Sequence, residues 1–131
     1  MFLNQLSNEE KNAFISLSVK ISEANGVFDE LEKEMIQEYC KEMDIPLFNI
    51  EKTESADALV EIFKNATDHV KRIVILEALG LAYSDGKLDS EEDALMRSFA
   101  EKIGIGENAY KEIVELLNKY NAVLAELIEK I

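Results

Sequence analysis

Two short acidic segments hold the residues best suited to chemistry. Residues 23–34 carry Glu23, Asp29, Glu30, Glu32 and Glu34 against Lys33 alone, and residues 85–93 carry Asp85, Asp89, Glu91, Glu92 and Asp93 against Lys87 alone. A net charge of −4 in each segment is unfavourable unless solvent, salt or a cation compensates it. Hard divalent ions take carboxylate and carbonyl oxygens, so Ca²⁺ or Mg²⁺ is the chemically matched ligand. The main expected ligands are Asp85, Asp89 and Glu92, with Asn25, Asp29 and Glu32 as the related set. The spacing partly follows a calcium-binding EF-hand loop. Asn25, Gly26, Phe28 and Glu32 fill its second half, as do Asp85, Gly86, Leu88 and Glu92. The loop's opening ligand positions fall instead on Ile21 and Glu23, and on Leu81 and Tyr83. Without the leading Asp an ordinary EF-hand is excluded, and a partial oxygen site remains. The same residues also suit plain helix capping. Gly ends one helix, Asp caps the next, and a Glu three residues later completes a capping box with no ligand present. Both readings stay open on the residues alone.

The elements that would position these turns are helical throughout. One proline and five glycines in 131 residues leave little of the turn grammar that strands need. Ser7 and Glu10 form a capping box that opens a helix to about Asn25, with Phe14, Leu17 and Ile21 inward. A second helix is capped by Asp29 and Glu32, carries Met35, Ile36, Tyr39, Cys40 and Met43, and stops before Pro46. A shorter third follows Thr53, with Leu59, Ile62 and Phe63 inward. A fourth, from about Asp68 to Ser84, is apolar on nearly every side and is expected to be the central one. Asp89 caps a fifth, with Leu95, Met96, Phe99 and Ile103 inward. Residues 107–131 make one or two more, carrying Tyr110, Ile113, Leu116, Leu117, Leu124 and Ile128. The expected fold is an all-α bundle of six or seven helices over residues 1–131, one domain.

The chain repeats itself. Ser22–Ile45 laid on Ala82–Ile105 gives identity at Gly26/Gly86, Asp29/Asp89, Glu32/Glu92 and Ile45/Ile105. Six further pairs are conservative, among them Asn25/Asp85, Phe28/Leu88 and Tyr39/Phe99. The bundle is therefore read as two pseudo-symmetric helical hairpins, each bent at an acidic turn. Sequence does not fix whether the two turns meet at one end.

Composition removes several functions. With 27 acidic and 14 basic residues, a formal charge of −13, the chain lacks the Lys and Arg that bind nucleic-acid phosphates or an anionic membrane surface. One cysteine, Cys40, and one histidine, His69, exclude an internal disulfide and a Cys/His zinc site. Cys40 reads as a small core residue and His69 as a solvated surface residue. Tyr83 precedes the second turn, where its hydroxyl is in reach of the acidic cluster. The most apolar stretch, Ile73–Tyr83, contains Glu77 and is far short of the roughly 20 residues a membrane-spanning helix needs. The N-terminal MFLNQLSNEEK has no basic segment followed by an apolar run, so no signal peptide and a cytoplasmic location are expected. No enclosed pair of carboxylates is evident, so an enzyme is not expected; a carboxylate hydrolase ranks third.

Ala24-Asn25-Gly26-Val27-Phe28-Asp29-Glu30-Leu31-Glu32, Ser84-Asp85-Gly86-Lys87-Leu88-Asp89-Ser90-Glu91-Glu92 and Ile103-Gly104-Ile105 together resemble the tellurite-resistance TerB-like family. That family includes the DjlA N-terminal-like helical domain. The resemblance spans roughly residues 8–120. It implies an all-helical fold with internal pseudo-symmetry, divalent-metal binding through the acidic turns, and a role in stress or membrane-associated complexes. It does not imply an enzyme. Asn25 stands where the family usually has Asp, and Ser84 where Ala is usual. No His-Pro-Asp tripeptide is present, so the J-domain activity of the co-chaperones that share this domain is not carried here. The expected function is a small acidic module that binds a divalent cation weakly and acts through a protein partner. The alternative is a metal-free acidic scaffold that attracts a basic partner by electrostatic steering. The oligomeric state is open.

Overall fold

The computed structural model describes residues 1–24, 30–46, 53–83 and 88–131. Six α-helices lie among them: α1 (Asn8–Glu23), α2 (Glu30–Glu42), α3 (Ala56–Lys64), α4 (Asp68–Ala82), α5 (Ser90–Ile103) and α6 (Glu107–Lys130). A 3-10 turn, Leu3–Gln5, precedes them. The described residues contain no strand, so the protein is an all-α, six-helix bundle.

The caps explain most boundaries. Ser7 accepts from the Glu10 amide at 3.2 Å while its own amide donates to the Glu10 carboxylate at 2.8 Å, a complete capping box. Ser55 and Thr67 cap α3 and α4 through the amides of Ala58 and Val70. Asp89 caps α5 as the spacing predicts, accepting from the Glu92 amide at 2.8 Å. Gly104 closes α5 with φ at 98°, a conformation that costs L side chains about 1–2 kcal/mol. Glu107–Lys130 form one helix, not two. The expected Asp29 cap of α2 and the Gly26 and Gly86 closures lie outside the described residues.

Helix α4 is central, as its all-round apolar pattern predicts. It packs on α1, α3, α5 and α6. Helix α1 also holds α2 and α3, and α3 joins α1 to α5. The α1–α2 and α4–α5 hairpins thus meet through α1 and α4. One apolar core runs through the bundle, including Phe14, Leu17, Ile36, Cys40, Leu59, Phe63, Ile75, Leu79, Met96 and Tyr110. Phe14 meets Tyr39 edge-on at 5.4 Å, and Phe63 meets Phe99 at 6.1 Å.

The charge inside the apolar stretch of α4 has a partner that sequence did not supply. Glu77 is buried, and its carboxylate accepts from the Met1 amine at 3.0 Å; the same amine reaches Glu42 at 2.8 Å. The Leu3 amide also donates to Glu42, and the Tyr39 hydroxyl to the Glu77 carbonyl. Burial raises the Glu77 carboxyl despite this pairing. Burial, with Glu77 and Glu42 nearby, also raises the Tyr39 phenol. The N-terminal turn is therefore strapped to α2 and α4, as charge burial demands.

Candidate functional site

Of the six expected ligands, Glu32, Asp89 and Glu92 are described, whereas Asn25, Asp29 and Asp85 lie outside the described residues. The described three are not surface charges. Glu32 and Glu92 are 4% and 2% exposed, although each sits in the first turn of its helix, where carboxylates normally face water. Asp89 is half-buried.

These carboxylates sense one another. The Glu92 carboxyl is pushed up to about 8: burial is the largest cause, then the hydrogen bond and charge of Asp89, and Glu32 adds to the rise. The Asp89 backbone amide, donating to Glu92, works in the other direction. The Asp89 side chain caps α5 by accepting from the Glu92 amide, as a capping residue does. Glu32, 60 residues away in the repeat, lies close enough for its charge to act on Glu92. The two hairpins therefore bring the starts of α2 and α5 to the same end of the bundle, the point the repeat left open.

Capping alone does not call for this burial. A cap of α5 functions equally well on the surface, whereas Glu92 is held nearly dry beside Asp89, with the charge of Glu32 adding to the penalty on its ionised form. Burial and Asp89 favour the protonated form of Glu92, whose carboxyl stands at about 8. A cation would offset the penalty on the ionised form. Ser22, in the last turn of α1 leading into the first acidic segment, is fully buried and its hydroxyl has no hydrogen-bond partner. It is a further oxygen near the same stretch of chain. The donors are all oxygen, which suits Ca²⁺ or Mg²⁺. Among the described residues, no group of three His, Cys, Asp or Glu forms a metal cage. Any complete coordination shell must draw on the turn residues, Asn25, Asp29 and Asp85.

Not every acid of the second segment belongs to this site. Asp93 is taken by Arg97 at 2.8 Å and by the Tyr110 hydroxyl, which donates to it at 2.8 Å. Arg97 also pairs with Glu107 and stacks over the Tyr110 ring at 4.9 Å. Asp93 and Glu107 thus neutralise Arg97 and tie α5 to α6. Burial, then the bond to Asp93, raises the Tyr110 phenol. The tyrosine that reaches the acidic segment is therefore Tyr110; Tyr83, expected there, is half-buried against the core and adjoins Tyr110. Nothing in the sequence distinguishes the two, since both are aromatics at core spacing. Removing the hydroxyl by Tyr110→Phe should cost about 1.5–3 kcal/mol in a urea denaturation curve, the range for a hydrogen bond to a charged group. Arg97 remains to hold Asp93, so the fold should persist. Away from this end, His69 is exposed and meets Gln5 at 2.7 Å, and Cys40 is buried, as expected of both.

The class is thus an all-helical bundle with a pair of buried acids contributed by two repeated turns. The family model described as "Tellurite resistance protein TerB" matches residues 47–115, just over half of the chain. The chain belongs to the TerB family. The matched stretch includes Asp85, Asp89 and Glu92 and leaves the first turn outside it. A search of curated proteins and a search of solved structures gave no match. No helix among the described residues is long and apolar enough to cross a membrane.

Proposed function

We propose that the chain is a divalent-cation-binding TerB module that acts through protein contacts. One observation carries the reading: Glu32 and Glu92, from separate hairpins, are both nearly dry and electrostatically coupled. Asp89 and Glu92 at the start of α5 and Glu32 at the start of α2 are the described acids of the set, and Asn25, Asp29 and Asp85 of the turns complete it. When bound, Ca²⁺ or Mg²⁺ offsets the like charges and ties the two hairpins together at this end. The protein's own part is to hold the two glutamates dry and to store a proton on Glu92 when the cation is away. The family description supports a place in a stress response of the tellurite-resistance kind. Its partner there is a protein, and the setting is the cytoplasm. No catalytic step is assigned to these acids.

Calorimetric titration of Ca²⁺, Mg²⁺ and Mn²⁺ tests this. The wild type should give saturable heat for at least one ion, and Glu32→Gln should weaken it about tenfold or more, although Glu32 lies outside the stretch matched by the family. No saturable heat up to millimolar ion would overturn the reading. Partner binding that falls steeply with salt yet survives chelator would mark the metal-free acidic scaffold instead.

A further inference from the structure

Helix α6 outruns the bundle it belongs to. Its buried residues, Tyr110, Ile113 and Leu117, all lie in its first half. The apolar stripe does not stop there. Ile113, Leu117, Tyr120, Leu124, Leu127 and Ile131 recur at alternating spacings of four and three, an unbroken heptad seam. Beyond Leu117 the seam is open: Tyr120 is 48%, Leu124 41% and Leu127 50% exposed, with Val123 and Ile128 flanking it at 56% and 73%. A projecting helix of this length is marginal in water unless its apolar face is covered.

We propose that a second copy of this chain covers it, the two α6 tails pairing antiparallel about a two-fold axis. Three observations favour this occupant. The first is charge. Residues 118–131 carry Lys119 and Lys130 against Glu126 and Glu129. The tail is thus neutral in a chain of −13, and pairing tails brings no like-charge penalty. Antiparallel pairing also sets the two acidic bodies at opposite ends of the seam; parallel pairing would set them side by side. The second is register. An axis between Ala125 and Glu126 places Leu124 against the partner's Leu127 and Tyr120 against the partner's Ile131, so every open seam residue meets another and the contact is isologous. The third is area. Tyr120, Leu124, Leu127 and Ile131, with Val123 and Ile128 beside them, form a contiguous apolar surface on the order of several hundred Å², the scale that marks an interaction site on a soluble protein.

The pairing also accounts for the apolar groove at the root of the tail. A groove of about 650 Å³ runs between α2, α4 and α6, with Met35, Tyr39, Leu76, Leu116 and Tyr120 in its wall. Opposite Tyr120, the partner's Ile131 stands at its mouth.

Sedimentation velocity on the full chain tests the proposal. The wild type should dimerise with a micromolar constant. Tyr120→Lys and Ile131→Glu should each weaken dimerisation about 100-fold, and the double variant should recover it, because the two new charges face each other across the seam. Both sites are exposed, so circular dichroism should show unchanged helix content. A wild type that stays monomeric over the whole concentration range would overturn the proposal, even if its tail binds lipid vesicles. So would a dimer untouched by both single variants. A double variant no better than either single would overturn the antiparallel register.

Discussion

Glu92→Gln should stabilise the cation-free protein at alkaline pH and abolish its response to divalent ions. The Glu92 carboxyl stands at about 8 in the folded chain, against an ordinary value of 4.5. A carboxyl raised by folding favours the folded state fully below its unfolded value. That contribution fades as pH climbs through the folded value, because the native state must then carry the charge it was built to avoid. Apo wild type should therefore lose stability from about pH 5 to just above pH 8. The loss is of the order of a few kcal/mol, several degrees in melting temperature for a domain of this size. Saturating cation should reverse most of it by compensating the ionised form. Glutamine mimics the protonated acid and still serves in a capping box. The variant should thus show a flatter profile, no cation effect and an intact α5. Melting curves across pH, with and without ion, read all three. A pure capping role predicts something else: no cation effect in either protein, and no alkaline gain in the variant beyond that of an exposed Glu→Gln change.

Phe14→Ala should be the most damaging single truncation in the shell around α4. Phe14 is fully buried on α1 and meets Tyr39 of α2 edge-on. Removing the ring takes away its transfer energy, opens a cavity and frees Tyr39, which also holds the Glu77 carbonyl. The expected cost is about 3–5 kcal/mol, or roughly 10–20 °C in melting temperature. Against a typical stability of about 5–15 kcal/mol, a partly unfolded population at 37 °C is the expected result. Because Phe14 fixes α2 on α1, the loss should reach the acidic end as well, weakening cation binding through Glu32. Leu124→Ala, on the exposed seam, removes a similar apolar side chain and should cost the monomer almost nothing. Thermal denaturation of both variants below the dimerisation range separates core from tail.

Much of the fold is written in local patterns. The Ser7–Glu10 box, the Asp89 cap and the apolar girth of α4 all act within one or two helical turns, and each is where its residues predict. What could not be read there depends on contacts distant in sequence. Glu77 looks like an interruption of an apolar stretch until the Met1 amine is seen to meet it. Glu32 and Glu92 look like the third residues of two capping boxes, and a box is satisfied equally in water or out of it. Only the packing of the two hairpins makes them dry and brings Glu32 within reach of Glu92 by charge. Tyr110 and Tyr83 have the same local signature, and only the packing of α6 on α5 brings Tyr110 to Asp93. The seam of α6 misleads in the opposite sense: Leu116, Leu124 and Ile128 carry a core-like spacing but are 56%, 41% and 73% exposed, since periodicity reports an apolar face and not whether anything lies on it.

The proposed cation bridges the two hairpins. Paramagnetic broadening by substoichiometric Mn²⁺ in an amide NMR spectrum tests it most directly, since the effect is confined to nuclei near the ion. The amides at the starts of α2 and α5, around Glu32 and Glu92, should broaden together, with one dependence on added ion, and neither group should broaden in Glu92→Gln. Broadening at only one of the two helix starts, or spread evenly over the exposed acids such as Glu38, Glu61 and Glu101, would contradict it.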